Sequence, residues 1–278
     1  MNFVSKIILT GSTGFIGSHL KKHFLSHQIQ VQEIFRDFSD LQMHQVFTDF
    51  KPDLVIHLAG YYSSEHSLDD LYKIIDANIL FSSRVLDAMS KSDCRCFLNT
   101  GSMWQNQNGA PVNLYAASKS AFEEILSYYV RQKNINVLTL KLADTYGPGD
   151  ERKKIIPLLL KSLKTKNKIA LTPGDQRSEW IYIDDILNAF LLAANMLKSQ
   201  YSDKSQINSY TLCSGQQFSI KEIVHLIEKI SHGKLNVEFG AIAYRKNQVM
   251  QLQIEDPLLP DWVPRINLEQ GLSKLINS

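Results

Sequence analysis

The sequence predicts an α/β protein with a doubly wound parallel sheet and a smaller α/β lobe towards the C-terminus. Strand-like and helix-like segments alternate over the first half of the chain, three glycines follow the first strand, and the alternation stops near residue 150. Such alternation is typical of a parallel sheet covered by helices. With 278 residues, of which 44% are apolar, the chain is long enough to bury a large core.

The first half supplies the strands of the sheet. Apolar runs predict them near the residue ranges 6–10, 29–35, 54–58, 95–100 and 136–142. Apolar residues also recur every three and four positions over 69–90 and 115–131. This spacing predicts two amphipathic helices that each pack one face on the sheet.

The second half begins with a basic helix over 153–164 and a turn at Pro173-Gly174. Residues 180–197 predict a strand followed by a helix, and we interpret Asp184-Asp185 as the N-cap of that helix rather than as a catalytic dyad. Beyond residue 204 we expect short strands and one helix over 219–230.

These breaks in the pattern predict the domain boundaries. We expect a first domain over 1–150 together with about 177–203, and a second over 151–176 and 204–278.

Composition excludes several classes of function. The net charge of +2 arises from 30 basic and 28 acidic residues without a long basic run, so we expect no nucleic-acid partner. No basic-then-apolar leader precedes residue 6, and the longest apolar stretch, 189–197, is too short to span a bilayer. We therefore expect a cytoplasmic protein without a membrane partner.

The cysteines and histidines do not form a metal-binding pattern. Cys94, Cys96 and Cys213 are an odd number with no Cys/His pair to complete a zinc site, so we interpret them as reduced core thiols. Three histidines at helical spacing, His19, His23 and His27, lack a carboxylate or cysteine at a fitting distance along the chain. We expect no metal, and we interpret His57 at a strand end as a structural hydrogen-bonding residue.

Gly11, Gly14 and Gly17 occupy the junction between the first strand and the first helix. Glycine at these places permits a tight turn, close approach of a pyrophosphate to backbone N–H groups, and tight packing of helix on strand. The helix N-terminus then favours phosphate. The alternative is a simple tight turn without a ligand, and the spacing differs by one residue from the commonest dinucleotide-binding pattern.

Arg36 and Asp37 follow the second strand, where a carboxylate would bind the ribose of NAD and an arginine suits a 2′-phosphate. Because Arg36 comes first, we favour NADPH, with NADH as the less favoured cofactor. The alternative is that Arg36 is a solvated loop residue.

Tyr115 and Lys119 are four residues apart, so they lie on one face of a helix. An ammonium group near the phenol lowers the pKa of the phenol and suits it to acid/base catalysis. Thr100 and Ser102 end the preceding apolar strand, at the edge where open α/β sheets bind ligands. Either hydroxyl could bind a carbonyl oxygen.

From Ile7 almost to the C-terminus, the chain resembles the extended short-chain dehydrogenases/reductases that modify nucleotide sugars. The matching segments, in order, are "TGSTGFIGSHL", "PDLVIHLAG", "DANILFSS" with Asn78, "NTGS", "YAASK", "LKLADTYGPGD" and "WIYIDDI". The resemblance implies a Rossmann-like NADP-binding domain, a nucleotide-sugar-binding lobe, Tyr115 as acid/base, and Lys119 as a ligand of the nicotinamide ribose. It also implies that Thr100 binds the reacting C–O group, because Thr100 lies four residues before Trp104, which replaces the usual tyrosine. Ser102 is the reserve candidate.

The resemblance also implies the remaining cofactor contacts. With those named above, the expected cofactor-binding residues are Gly11, Thr13, Gly14, Phe15, Ile16, Gly17, Arg36, Asp37, Leu58, Ala59, Gly60, Asn78, Tyr115 and Lys119. Relatives pair their two long amphipathic helices across a two-fold axis, so a homodimer is expected through apolar residues that include Leu80, Phe81, Phe122, Ile125 and Tyr129.

The reaction class follows from departures from the family pattern. Gly101 and Ser102 stand where dehydratases carry an Asp-Glu pair, and Met103 lies where epimerases acting at C3 and C5 would need a cysteine nearby. Arg36 favours a reductase that exchanges NADPH. Three loop segments, "LADTYGPGDERKKIIP", "PGDQRSEWIYIDD" and "FGAIAYRKNQVM", resemble bacterial reductases of CDP-linked 4-keto-6-deoxy sugars in surface polysaccharide pathways. The alternatives are a 4-epimerase with tightly bound NAD and a non-catalytic dinucleotide-binding scaffold.

Five residues are candidates for binding the nucleotide-sugar substrate. Arg177 and Arg245 could clamp a diphosphate, or could be solvated loop arginines. Tyr61, with Tyr62 after it, could line the sugar pocket. The set is Ser102, Tyr61, Asp144, Arg177 and Arg245, and Asp144 and Lys141 replace an asparagine and an arginine of many relatives.

Overall fold

The computed structural model describes residues 4–199 and 205–277, which belong to two compact units. Unit 1 covers Met1–Leu142, Leu187–Thr211 and Glu255–Trp262, and unit 2 covers Ala143–Ile186, Leu212–Ile254 and Val263–Ser278. The division falls at Leu142 and Leu187 instead of near residues 150 and 177, because strands within 143–186 pair with one another in a separate sheet.

Unit 1 is built on a mostly parallel sheet, as the sequence predicts. Its strand order is β2-β1-β3-β4-β5-β9, and the pairs from β2 to β5 are parallel. The strands are β1 (Lys6–Thr10), β2 (Gln30–Ile34), β3 (Leu54–His57), β4 (Cys96–Ser102), β5 (Asn136–Leu142) and β9 (Ile207–Leu212). Every residue of β3 and β4 is buried, including the polar Asn99, Thr100 and Ser102 in the second half of β4.

Helices lie between successive strands of this sheet along the chain. They are α1 (Phe15–Ser26), α2 (Asp40–Phe50), α3 (Leu68–Ile75), α4 (Ser82–Ser90), α5 (Leu114–Lys133) and α7 (Ile183–Ser199), the last of which begins in unit 2. Phe47, Phe81 and Phe122 join Val55 and Phe97 of the sheet in one buried core. Phe81 and Phe122 therefore face the core, which corrects their expected place in a dimer interface.

The helix predicted over 69–90 has three parts. α3 and α4 are joined by a π-helical turn, Asp76–Phe81, in which backbone N–H groups bond to carbonyls five residues back. Such turns are rare in proteins, and those that occur often lie at functional sites. The hydrophobic period does not reveal this turn, because the apolar faces before and after it both continue.

Unit 2 contains a three-stranded sheet in the order β10-β8-β6 and a two-stranded sheet of β7 and β11. Its strands are β6 (Asp144–Tyr146), β7 (Ile169–Ala170), β8 (Arg177–Tyr182), β10 (Gln217–Ser219) and β11 (Val237–Glu238). Its helices, besides the start of α7, are α6 (Ile155–Thr165), α8 (Ile220–Ser231) and α9 (Leu268–Ile276). The sequence interpretation missed α9, since a proline-rich segment precedes it.

The interpretation of Asp184-Asp185 as an N-cap was wrong. Both residues lie inside the first turn of α7. Asp185 is buried, and its two carboxylate oxygens accept the backbone N–H groups of Arg265 and Ile266 at 3.0 and 2.9 Å. This aspartate therefore fixes a distant segment of unit 2.

The three cysteines are free and buried, as predicted. No helix in the described ranges is long and apolar enough to cross a membrane.

Candidate active site

The glycine-rich turn after β1 depends on close backbone contacts. Gly11 has φ of +71°, and a Cβ there would lie 2.6 Å from the backbone nitrogen of Ala59. A Cβ on Gly17 would lie 2.1 Å from the carbonyl oxygen of Gly11. Gly11 thus permits the turn, and Gly17 permits α1 to pack directly on it.

The N-terminus of α1 has the properties of an anion site. Gly14 is its N-cap, no side chain among the described residues caps it, and the first turn holds no acidic residue. Thr13 and Gly14 are exposed, while Phe15 and Ile16 are half-buried. Backbone N–H groups at a helix N-terminus bind phosphate oxygens, so these residues fit the pyrophosphate of a dinucleotide.

The segment after β3 lies beside this turn. The backbone N–H of Ala59 donates to Oγ1 of Thr10 at 3.3 Å, and the N–H of Leu58 donates to the carbonyl of Thr10 at 3.3 Å. Asn78, on the π-helical turn, accepts the N–H of Tyr61 at 2.7 Å. The loop 58–60 therefore has a fixed backbone.

Arg36 lies two residues beyond the end of β2, one further than the sequence indicates. Both Arg36 and Asp37 are exposed, and the guanidinium of Arg36 approaches Asp76 at 3.9 Å. The loop that carries them is fixed by Arg84, which donates to the carbonyl of Phe38 at 2.6 Å.

Thr100 and Lys119 meet where β4 adjoins α5. The ammonium of Lys119 donates to the carbonyl oxygen of Thr100 at 3.0 Å. Tyr115 lies one turn before Lys119, near the N-terminus of α5, which Asn113 caps. Oγ1 of Thr100 is buried and has no hydrogen-bond partner among the described residues. A buried hydroxyl without a partner is costly, so this atom is available to a ligand.

Burial controls the charge of Lys119. Because Lys119 is buried, its pKa falls to about 8, and the nearby carboxylate of Glu123 opposes this shift. Glu123 follows Lys119 by one turn of α5 and lies 3.8 Å from the ammonium of Lys141. Lys141 also pairs with Asp256 at 2.9 Å, so it serves a charge cluster inside unit 1.

Ser102 has a structural use. Its hydroxyl accepts the N–H of Trp104 at 3.3 Å and caps a short 3₁₀ helix, Met103–Gln105. Gly101 faces Gln105 and Lys141, and a Cβ there would lie 2.6 Å from Oε1 of Gln105. Of the two candidate hydroxyls, the one on Thr100 is the one without such a bond.

The two tyrosines after β3 have different neighbours. The hydroxyl of Tyr61 donates to Asp70 at 2.7 Å. The ring of Tyr62 packs edge-to-face on the ring of Tyr115, with centroids 5.0 Å apart. Tyr62, and not the expected substrate ligand Tyr61, thus packs on the candidate acid/base.

The candidates in unit 2 take part in ion pairs or lie on the surface. Arg177 pairs with Glu222 at 2.9 Å and donates to the carbonyl of Gln217 at 2.7 Å. Asp144 pairs with Lys154. Arg245 is exposed. Binding of a substrate by these residues stays a prediction.

Sequence reasoning missed two residues that support the site. Ser118 accepts a hydrogen bond from Nδ2 of Asn78 at 2.8 Å, and Glu123 lies near Lys119. Ser118 stands inside "YAASK", and Glu123 follows Lys119 at a spacing of four, so helical periodicity could have indicated both. His57, interpreted as a structural residue, does make two buried side-chain hydrogen bonds.

The sequence and the fold are similar to those of known proteins. The chain is 28% identical over 305 residues to CDP-abequose synthase of Salmonella typhimurium, with 99% of each chain covered. It is 29% identical to CDP-abequose synthase of Yersinia pseudotuberculosis, over 88% of this chain and 90% of that protein. Its fold matches the crystal structure of Thermus thermophilus UDP-glucose 4-epimerase in complex with NAD, with a TM-score of 0.82, 18% identity and 98% of each chain covered.

A family model provides the broadest match. It covers residues 7–208, which include the glycine turn, the loop 58–60, Thr100, Tyr115 and Lys119. Together with the parallel sheet of unit 1, this match shows that the chain belongs to the NAD dependent epimerase/dehydratase family.

Proposed function

We propose that this protein is an NADPH-dependent reductase of nucleotide-linked sugars. Its substrate is a 4-keto-6-deoxy sugar linked to a nucleotide, with CDP favoured, and its product carries a hydroxyl at C4. The pathway we assign is the biosynthesis of surface polysaccharide. Relatives named CDP-abequose synthase, aligned over nearly the whole chain, support the substrate class.

The buried hydroxyl of Thr100, which has no hydrogen-bond partner within residues 4–199 and 205–277, is the observation on which the proposal rests. It lies on the strand whose backbone binds Lys119, and Tyr115 stands one helical turn away from that lysine. A keto oxygen needs hydrogen-bond donors as it gains negative charge, and a preorganised hydroxyl supplies one at little cost. A scaffold without chemistry has no need of this combination.

The chain's residues have distinct roles in the reduction. Bound NADPH supplies the hydride that adds to C4. Thr100 and Tyr115 donate hydrogen bonds to the keto oxygen, and the phenol of Tyr115 transfers its proton to that oxygen as the alcohol forms. The ammonium of Lys119 stabilises the phenolate left on Tyr115, which solvent then reprotonates.

The cofactor is assigned from Arg36 and the glycine turn. Arg36 is exposed beyond β2 and offers a guanidinium to a 2′-phosphate, which NADPH has and NADH lacks. We assign the dinucleotide to unit 1, whose residues fit the pyrophosphate. We assign recognition of the nucleotide sugar to unit 2, where Asp144, Arg177 and Arg245 lie.

A substrate panel tests the proposal. The purified protein is incubated with NADPH or NADH and with 4-keto-6-deoxy sugars linked to CDP, dTDP, UDP or GDP, and cofactor oxidation is followed. We expect stoichiometric oxidation of NADPH, fastest with a CDP sugar. Interconversion of 4-hydroxy sugars without net oxidation would identify a 4-epimerase instead. Binding of a dinucleotide without turnover of any sugar would identify a scaffold.

A further inference from the structure

A chain of buried hydrogen bonds crosses unit 1 behind the candidate site. Oγ1 of Thr10 and Nδ1 of His57 are 2.8 Å apart, and Nε2 of His57 is 2.8 Å from Oγ of Ser82. Oγ of Ser82 in turn is 3.2 Å from the carbonyl oxygen of Ala77. Thr10, His57 and Ser82 are each at most 1% exposed. These hydrogen bonds thus join β1, β3 and the π-helical turn.

The direction of each hydrogen bond follows from the ends of the chain. Oγ1 of Thr10 accepts from the N–H of Ala59, and it donates its own hydrogen to Nδ1 of His57, which is the acceptor of a neutral ring that carries its hydrogen on Nε2. The carbonyl of Ala77 can only accept, so Ser82 donates to it and accepts from Nε2–H of His57. A neutral imidazole satisfies every bond. Burial and the charge of Lys119 lower the pKa of His57 to about 3, which agrees with that form.

The π-helical turn at the far end of this chain carries Asn78. Its side chain accepts the N–H of Tyr61 at 2.7 Å and donates to the carbonyl of Tyr61 at 3.2 Å and to Ser118 at 2.8 Å. The loop 58–60 is therefore attached to the same turn at two places. His57 joins it through Ser82 before the loop, and Tyr61 joins it through Asn78 after the loop.

Gly60 lies at the crowded end of this loop. A Cβ on Gly60 would be 3.1 Å from Oδ1 of Asn78 and 3.4 Å from Nζ of Lys119. A displacement of the π-helical turn would therefore move the loop, the amide of Asn78 and the surroundings of the lysine together.

We propose that His57 is a positioning residue for the dinucleotide. Through Thr10 and Ser82, it holds the loop 58–60 against the π-helical turn in the arrangement that receives the cofactor. This inference rests on the proposed function, because it takes the loop 58–60 as part of the cofactor site. It adds a role for Thr10, His57 and Ser82, none of which touches the cofactor in this scheme.

Two substitutions, one at each end of the hydrogen-bond chain Thr10–His57–Ser82, test the positioning role of His57. Thr10→Val keeps the volume of the side chain but removes its hydroxyl, and Ser82→Ala removes the partner of Nε2. The dissociation constant of NADPH is measured by fluorescence titration, and thermal unfolding is recorded for each variant. We expect each substitution to weaken NADPH binding about tenfold, while the affinity for CDP stays within about twofold of the parent. The double variant should weaken NADPH binding by about the same tenfold, since both changes release the same residue.

Ser162→Ala is the matched control. Ser162 is a buried serine in unit 2 whose hydroxyl donates to the carbonyl of Asn167, five residues away, at 2.7 Å. It should lower the unfolding temperature as Ser82→Ala does, and leave the affinity for NADPH unchanged. If Ser82→Ala does not fold, Thr10→Val alone decides the matter.

The outcomes separate this inference from the proposed function. A parent protein that binds neither NADPH nor NADH overturns the proposed function. A parent that binds NADPH, with Thr10→Val and Ser82→Ala binding as tightly as Ser162→Ala, overturns the positioning role alone. If the fold-losses of NADPH affinity in Thr10→Val and Ser82→Ala multiply in the double variant, the positioning role is also overturned, because His57 would then not link Thr10 to Ser82.

Discussion

Individual side chains supply the proposed chemistry, and their surroundings make them suited to it. The hydroxyl of Thr100 has no hydrogen-bond partner in the part of the chain that the structure describes. The ammonium of Lys119 is buried and bonds to the backbone of β4. The placement of Tyr115 and Lys119 one turn apart on the same helix could be predicted from their spacing alone, since helical periodicity sets which residues are neighbours. The choice between Thr100 and Ser102 could not, because both lie on the same strand and only the local turn shows that Ser102 bonds to Trp104.

Removal of the phenol tests the proton donor. Tyr115→Phe should lower kcat about 10²–10⁴-fold, because the packing is preserved while the general acid is lost. Thr100→Val should lower kcat by about 10²-fold, since one of two donors to the keto oxygen remains. Steady-state kinetics with the preferred 4-keto sugar measures both. Near-normal turnover by Tyr115→Phe, with Thr100→Val inactive, would reverse the assigned roles.

The charge of Lys119 should appear in the pH dependence of the reaction. Burial places the pKa of Lys119 at about 8, so its ammonium loses a proton as the pH rises through that value. Reduction needs both this ammonium and a protonated Tyr115. We therefore expect kcat/KM to be level near neutral pH and to fall above about pH 8. A profile that stays level to about pH 10 would contradict the role of Lys119.

Arg36 tests the preference for NADPH. Arg36→Ala should weaken NADPH binding by about 1.5–3 kcal/mol, the range for a hydrogen bond to a charged group, and should change NADH binding little. Dissociation constants of both cofactors for parent and variant give the comparison. Lys133→Ala, which removes an exposed cation from the last turn of α5, is the control and should leave the binding of both cofactors unchanged. An equal loss for both cofactors would remove the basis for this assignment.

The spacing of apolar residues along the sequence is enough to predict some helices and strands but not others. The strands of the parallel sheet and the long helix α5 could be predicted, because burial on both faces gives continuous apolar runs and amphipathic helices repeat every three to four residues. The π-helical turn could not, because a hydrogen bond such as the one from Ser82 to the carbonyl of Ala77 leaves no trace in the apolar spacing. Nor could the role of Asp185, whose partners are 80 and 81 residues away along the chain.

Gly271 tests the packing of α9. Alanine stabilises a helix interior by about 1 kcal/mol relative to glycine. A Cβ on Gly271, however, would lie 2.0 Å from the hydroxyl oxygen of Tyr146. Gly271→Ala should therefore lower the free energy of unfolding by about 1–3 kcal/mol, the usual cost of overpacking. Urea unfolding measures this change.

A second substitution distinguishes packing from a general effect on the helix. Tyr146→Phe removes the hydroxyl that α9 would meet, so it should recover part of the stability lost in Gly271→Ala. Tyr146→Phe alone is the reference, since it also loses the bond to the carbonyl of Leu268. If Gly271→Ala is as stable as the parent, then α9 does not depend on this close approach.

The whole molecule combines two units. The sequence pattern predicts that there are two, but it does not predict the residues at which they begin and end. The sequence pattern assigns residues 144–146 and 177–182 to the first domain, yet they pair with each other in the sheet of unit 2. Segment 255–262 returns to unit 1, where Pro257 and Leu259 bond to Thr211. Such pairing between distant segments leaves no local signature. The cytoplasmic location and the homodimer stay predictions.

The exposed apolar side chains of α3, the π-helical turn and α5 favour the dimer. Leu68, Tyr72, Ile75, Leu80 and Tyr128 are all exposed there. We expect a solution mass about twice 31.7 kDa at micromolar concentration. Leu80→Glu combined with Tyr72→Glu should give a monomer in light scattering. Leu41→Glu, at an exposed leucine on α2, is the control and should keep the mass of the parent, and a monomeric parent would refute the prediction.

The reactivity of the three buried thiols measures the unfolding of each unit separately. Burial raises the pKa of Cys94 to about 12 and those of Cys96 and Cys213 to about 11, so the reactive thiolate is scarce in the folded protein. Alkylating reagents therefore modify these thiols only when the surrounding structure opens. Because Cys94 and Cys96 belong to unit 1 and Cys213 to unit 2, the rate of modification at each thiol follows the unfolding of its own unit, without any label added to the chain.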